Sequence, residues 1–207
     1  GVVSTPPMDI LMLNGSQTDN NALLFSMGMH DILDPLFAAN KLQKESEVFI
    51  PNWDNNTAQV EAEAALADPK YHIQIIYAAN DGLAGGAINA LKAAGLDGKV
   101  LVTGQDATAA GIHAILAGEQ SMTIYKPIAQ EAASVGQLVK AIFNGDDVNL
   151  LINGTNTVTF DGGSVPSILD NPILVDIHKI ASTVIADKYL SKSDVCENIP
   201  PGTAGVC

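Results

Sequence analysis

Short apolar runs alternate with helical periods along the first two thirds of the chain. Residues 8–14 (Met8-Asp-Ile-Leu-Met-Leu-Asn) form an apolar run closed by Gly15, the form of a buried strand. Turn residues 16–20 follow, and Asp19 or Asn20 can cap a helix over 22–39. In it Phe25, Met29, Ile32, Leu33, Leu36 and Phe37 recur at helical spacing and read as core. Residues 47–50 predict a strand, 51–54 a loop, and the alanine-rich stretch 57–66 a helix. A strand at 72–79 ends at Asn80-Asp81, and a helix at 82–94 is closed by Gly95. A strand at 100–103, a helix at 107–117 closed by Gly118, a strand at 121–125 and a helix at 128–143 complete the series. Strict alternation with short links predicts a parallel sheet with helices on both faces, a three-layer, doubly wound α/β fold. The regularity lapses after Gly145. Residues 146–163 read as a polar ribbon, 173–177 as a strand, 177–189 as helical, and the tail from 191 as irregular.

Composition narrows the function classes. The 207 residues are 47% hydrophobic and 16% charged, enough for a large core. The net charge is -13, from 23 acidic and 10 basic residues. So acidic a surface repels nucleic-acid backbones and anionic lipid headgroups, which argues against both as partners. No apolar run approaches the roughly 20 residues of a membrane span, so direct membrane insertion is not expected. The two cysteines, Cys196 and Cys207, lie in the tail. A disulfide over residues 199–202 would fit an oxidising, extracytoplasmic compartment; two free tail thiols are the alternative. The opening residues, 1–7, are too short and polar for a signal peptide, and the start reads as truncated rather than mature.

In a parallel α/β sheet ligands bind beyond the carboxyl ends of the strands. Strand one offers Asn14, Asp19, Asn20 and Asn21; strand two Asn52, Trp53 and Asp54; strand three Asn80 and Asp81. Strand four offers Gln105 and Asp106, and strand five Tyr125 and Lys126. This set suits an uncharged, polyhydroxylated ligand. A carboxylate accepts from adjacent hydroxyls, an amide donates and accepts, an ammonium donates, and an indole can cover the C–H face of a pyranose. Each residue alone has a bland reading: Asn and Asp as helix caps (Asp19 and Asp81 above all), Trp53 as packing, Lys126 as a solvated charge. Gly82, Gly85 and Gly86 lack dinucleotide-fingerprint spacing and are read as close helix–sheet packing. The scattered His30, His72, His113 and His178 show no metal spacing, and no metal or cofactor is expected. The triplet starting at Asn153, like those at Asn14 and Asn55, reads as a chance glycosylation match.

Four stretches carry a resemblance: Leu13-Asn-Gly-Ser-Gln-Thr-Asp-Asn-Asn-Ala, Ala79-Asn-Asp-Gly-Leu-Ala-Gly-Gly-Ala-Ile, Thr103-Gly-Gln-Asp-Ala and Met122-Thr-Ile-Tyr-Lys-Pro-Ile. In order and spacing, from about residue 10 to 176, the chain resembles the xylose-binding family of type I periplasmic binding proteins, the sugar-binding subunits of ABC importers. The resemblance implies a clamshell of two α/β lobes closing on a monosaccharide, of which this chain is the C-terminal lobe. It implies that Asn21, Trp53, Asn80, Asp106 and Lys126 face the sugar, with Asp19 as a further contact. The stretch around Trp53 departs from the family's local sequence. The resemblance also implies an ABC permease as partner and a location in the periplasm, or on a Gram-positive cell surface as a lipoprotein.

By the same resemblance, 1–126 is the main lobe, 127–165 a crossover helix and ribbon belonging to a missing N-terminal lobe, 166–190 the return, and 191–207 a disulfide-bearing tail. Lys126-Pro127 would double as the hinge. The apolar face of the helix 128–143 (Ile128, Ala132, Val135, Leu138, Val139, Ile142) then needs another partner, by folding back or by pairing two copies as a homodimer. Two other functions share the fold class. The effector lobe of a sugar-responsive repressor would need a basic helix-turn-helix, and an enzyme using Asp106 and Lys126 as acid and base would need a nucleophile, metal or cofactor motif.

Overall fold

The computed structural model describes residues 7–152, 155–159 and 161–207. The first six residues and the start of the Asn153 triplet lie outside the described residues. The chain forms two compact units, Gly1–Ile124 with Leu174–Cys207, and Tyr125–Ile173.

The first unit is built on strands β1 (Met8–Asn14), β2 (Leu42–Phe49), β3 (Ile73–Ala78) and β4 (Leu101–Val102), all parallel, in the spatial order β2-β1-β3-β4. Helices α1 (Asn20–Ala38), α2 (Asn55–Ala67), α3 (Asp81–Ala93) and α4 (Ala109–Leu116) connect them and continue the series. The α/β class and the parallel sheet are as the alternation predicts. β1 is central and buried on both faces. Leu11 and Leu13 join Ile50, Ala58, Ala62, Leu83, Ala87 and Leu91 in the main core. Ile10 and Met12, alternating with them, are buried on the opposite side. β5 (Thr123–Tyr125) pairs with β8 (Ile173–Val175) rather than joining the main sheet as a fifth strand. Backbone bonds from Ile124 to Gly104 and from Asp106 to Ile124 still tie it to the chain leaving β4.

Several expectations are corrected. The apolar period of α1 does not make it a core helix: Ile32 is 69% exposed, Phe25, Met29, Leu33, Leu36 and Phe37 are half-buried, and only Ala22 and Ser26 are buried. Periodicity marks a preferred face, but a helix over a sheet edge finds too little surface to bury it. β2 begins five residues before the expected start at 47, its polar stretch 43–47 being compatible with an edge strand paired on one side. Gly86 serves helix–helix rather than helix–sheet packing: a Cβ there would collide with the Asn55 carbonyl and crowd Gln59 and Ala58 on α2. The stretch 177–189 is not a regular α-helix but turns around a π-helical segment, Ala181–Ile185. The tail is not wholly irregular. α6 (Lys192–Val195) is opened by a capping box between Ser191 and Asp194, and Cys196 and Cys207 form a disulfide.

The second unit holds α5 (Ile128–Asn144), ended by Gly145 in the left-handed region, and an antiparallel ribbon of β6 (Thr155–Val158) and β7 (Ser164–Ser167). The ribbon runs from 155 to 167 rather than over 146–163. The apolar face of α5 does not fold back into cover: Val139 is 60% exposed, with Ile128, Val135 and Ile142 similar.

Candidate functional site

Because β2, β1, β3 and β4 are parallel neighbours, their carboxyl ends lie along one edge. In that order the edge carries Trp53, Asp19 with Asn21, Asn80, and Asp106, each just beyond its strand. Backbone bonds from Ile50 to Asn14, Ala79 to Leu13 and Asp81 to Gln105 knit neighbouring strand ends together.

Asp19 caps α1, its Oδ1 accepting from the Asn21 backbone N–H at 2.9 Å. It is more than a cap, because Oδ2 accepts from the Trp53 Nε1–H at 3.1 Å. The indole lies over Gly15, where any Cβ would run into the ring. Asn52 and Trp53 both have φ 55, the left-handed region. With its amide nitrogen facing them, Asn55 donates to the carbonyls of Trp53 (3.3 Å) and Gly82 (3.2 Å), bracing this turn against α3. The Asn21 side chain is exposed at the start of α1. Asn14, by contrast, is fully buried, and its Nδ2 donates to Glu47 Oε1 at 3.0 Å. It faces the interior because it is still within β1.

Asn80, not Asp81, caps α3. Its Oδ1 accepts from the Leu83 N–H at 2.8 Å, while its NH2 group has no partner among the described residues. The Gln105 carboxamide is turned back to the Ala79 carbonyl at 3.2 Å. Asp106 (φ 97) and Ala107 (φ 50) form a second left-handed pair, and Asp106 is half-buried. A non-glycine residue in such a region is strained by roughly 1–3 kcal/mol, and such strain gathers at ligand sites. Of the eight positive-φ non-glycine residues among the described residues, four belong to the Trp53 and Asp106 turns.

Asp81 is the residue that sequence reasoning misjudged. It is buried, with Oδ1 accepting from Gln120 Nε2 (2.9 Å) and Thr123 Oγ1 (2.8 Å) and Oδ2 from Thr108 N (2.8 Å) and Thr108 Oγ1 (3.1 Å). Burial raises its pKa, and the bonds from Gln120, Thr123 and Thr108 oppose that shift. All four partners donate, which suits a carboxylate that can only accept. The available signal was Gly104 and Gly111: a Cβ at either would overlap the Asp81 carboxylate.

Lys126 and Pro127 follow β5 and belong to the second unit. There they line a recess of about 170 Å³ with Glu131, Ile168, Leu169, Asp170 and Pro172. Among the described residues no group of three or more His, Cys, Asp and Glu could hold a metal ion. No helix among them is long and apolar enough to cross a membrane.

Residues 4–147 match the model of the family described as periplasmic binding protein domain. The chain belongs to this family. Among curated periplasmic binding proteins, the D-xylose-binding periplasmic protein of Haemophilus influenzae is 36% identical over 194 residues, which are 94% of this chain and 57% of that protein. The multiple sugar-binding periplasmic receptor ChvE of Rhizobium radiobacter is 33% identical, over 88% of this chain and 54% of its own. The chain thus spans little more than half the length of these relatives. Among solved structures, an ABC transporter solute binding protein from Clostridium phytofermentans with bound β-D-glucose superposes with a TM-score of 0.79 at 28% identity, covering 93% of this chain and 62% of that one.

Proposed function

We propose that this periplasmic binding protein chain is the sugar-binding lobe of the extracytoplasmic solute-binding component of an ABC importer, and that it takes an uncharged monosaccharide, xylose or a related aldose. The observation that carries the reading is the carboxyl edge of the sheet. Trp53, Asn21, Asn80 and Asp106 lie beyond the ends of four neighbouring strands, and two of them occupy left-handed turns. Asp106 accepts from adjacent hydroxyls, the Asn80 and Asn21 amides donate and accept, and Trp53, held by Asp19, covers the sugar's C–H face. The protein binds its ligand and does no chemistry on it, in keeping with relatives named as binding proteins.

The names of those relatives and the Cys196–Cys207 disulfide support a location outside the cytoplasm: the periplasm, or the surface of a Gram-positive cell as a lipoprotein. A permease reads closure of the occupied protein. A first lobe completes the clamp, in keeping with the chain's 57% coverage of its relative. In the chain by itself the exposed face of α5 pairs with a second copy.

Titration of the chain with D-xylose, D-glucose and L-arabinose, followed by calorimetry and Trp53 emission, tests the reading. We expect saturable binding of at least one, with a Kd on the order of 1 mM for a single lobe, equivalent to about 4 kcal/mol. Tight binding of a nucleotide or an amino acid, with no response to any sugar, sinks it.

A further inference from the structure

We infer that Asp81 is a positioning residue for the ligand site: its buried carboxylate locks the strained turn that presents Asp106. The inference rests on the sugar-binding reading for what Asp106 contacts, but the lock itself is independent of the ligand.

The turn needs a lock because Asp106 and Ala107 both hold left-handed backbone, at φ 97 and 50. Neither residue has glycine's freedom there, so the turn would relax without outside bonds. Asp106 itself is held by its N–H on the Ile124 carbonyl (2.8 Å) and by the Tyr189 hydroxyl on its carbonyl (3.1 Å), while the bonds to the residues on either side of it converge on Asp81. The Thr108 N–H and hydroxyl both donate to Oδ2, fixing the residue just after the pair. The Ala107 N–H donates to Thr123 Oγ1 at 3.1 Å, and that hydroxyl donates onward to Asp81 Oδ1 at 2.8 Å. The Asp81 backbone N–H donates to the Gln105 carbonyl at 2.9 Å, fixing the residue just before the pair. Ala107 and Thr108 are tied, directly or through one hydroxyl, to the Asp81 side chain, and Gln105 is tied to the backbone N–H of the same residue. The space for that carboxylate exists only because 104 and 111 are glycines.

This differs from a cap or a general stabiliser. Asn80 already caps α3. A neutral side chain of the same shape cannot replace Asp81 without rearrangement, since an amide NH2 would face either the Thr108 N–H or the Gln120 NH2.

The test is a cycle in the 207-residue chain: wild type, Asp81→Asn, Asp106→Asn and the double variant, with affinity for the best sugar of the panel and amide hydrogen exchange at Ala107 and Thr108. Thr123→Val and Thr123→Ser form a milder pair should Asp81→Asn fail to fold. We expect Asp81→Asn to weaken binding about tenfold when Asp106 is present and less than about twofold when it is not, because it acts through Asp106. Exchange at Ala107 and Thr108 should quicken relative to the core of β1. Thr123→Val should reproduce both effects, and Thr123→Ser, which keeps the hydroxyl, should restore them. Equal losses of affinity in both Asp106 backgrounds, or unchanged exchange at the two amides, overturns the inference. If no sugar binds the wild type, the sugar reading fails while the exchange data still decide whether Asp81 locks the turn.

Discussion

At the residue scale, the candidate site combines groups that a sequence displays with contacts that it hides. Asn80, Asp106 and Trp53 are legible because each sits where an apolar run turns polar, and that switch marks a strand end. The Asp81 network is not legible, because its donors lie 27, 39 and 42 residues away and follow no period. Gly15 is a similar case: its small size matters only because Trp53 folds over it. Gly15→Ala should therefore displace the indole, break the bond to Asp19 and destabilise the chain by roughly 1–3 kcal/mol, the usual range for overpacking. Urea denaturation and a red-shifted Trp53 emission would show it. Gly85→Ala is the contrast, since a Cβ at that position in α3 meets nothing within 4 Å. It should stabilise by roughly 0.5–1 kcal/mol by removing glycine's unfolded-state freedom from a helix interior. Unchanged emission in Gly15→Ala would show that the indole does not depend on that contact.

At the element scale, apolar runs and helical periods place most helices and strands of the first unit, and the departures share a cause. Period and run length report which side of an element is apolar, not how much surface the neighbours offer. That is why the apolar period of α1 predicts a core helix where the structure has a half-exposed one, and why the polar stretch 43–47 of edge strand β2 carries no strand signal. Polar contacts add to the half-buried apolar face of α1. His30 Nδ1 is 2.7 Å from Asp34 Oδ1, and its Nε2 is 2.8 Å from Glu47 Oε1 on β2. Both partners are acceptors, so both ring nitrogens must carry protons, and the arrangement suits the imidazolium. The bond to Asp34, then that to Glu47, raises the His30 pKa above its ordinary value. A raised folded-state pKa contributes stability that is complete below the unfolded value of about 6.5 and is lost as pH climbs through the folded value. The difference in urea midpoint between wild type and His30→Gln should thus be larger at about pH 5.5 than at about pH 9. A difference that is equal at both, or larger in base, would contradict the tether.

At the scale of the whole molecule, the open question is what covers α5. Ile128, Ala132, Val135, Val139 and Ile142 follow a four-three-four-three spacing, the seam by which one helix packs on another. In the chain that seam is exposed, and Phe143 at its end is 89% exposed. The sequence shows the stripe plainly, but a stripe states only which side wants burial; its partner depends on surfaces outside the helix. Isolated helices of fewer than about 12–15 residues are marginal in water, and a 17-residue helix lies only just beyond that limit, so α5 gains from any apolar cover. Large apolar patches on monomers are uncommon for the same reason. The two covers proposed, a first lobe and a second copy, would use the same stripe and so exclude one another. Sedimentation of the chain over a hundredfold concentration range should show a reversible monomer–dimer equilibrium. Val139→Asp places a charge in the middle of the seam and should shift the chain to monomer without changing its sugar affinity, since the Trp53 and Asp106 turns belong to the other unit. A wild-type chain that stays monomeric at the highest concentration would remove the second copy as a cover for α5. A dimer that survives Val139→Asp would move the interface elsewhere, and the exposed first-unit residues Met27 and Ile32 on α1 would be the next place to put a charge.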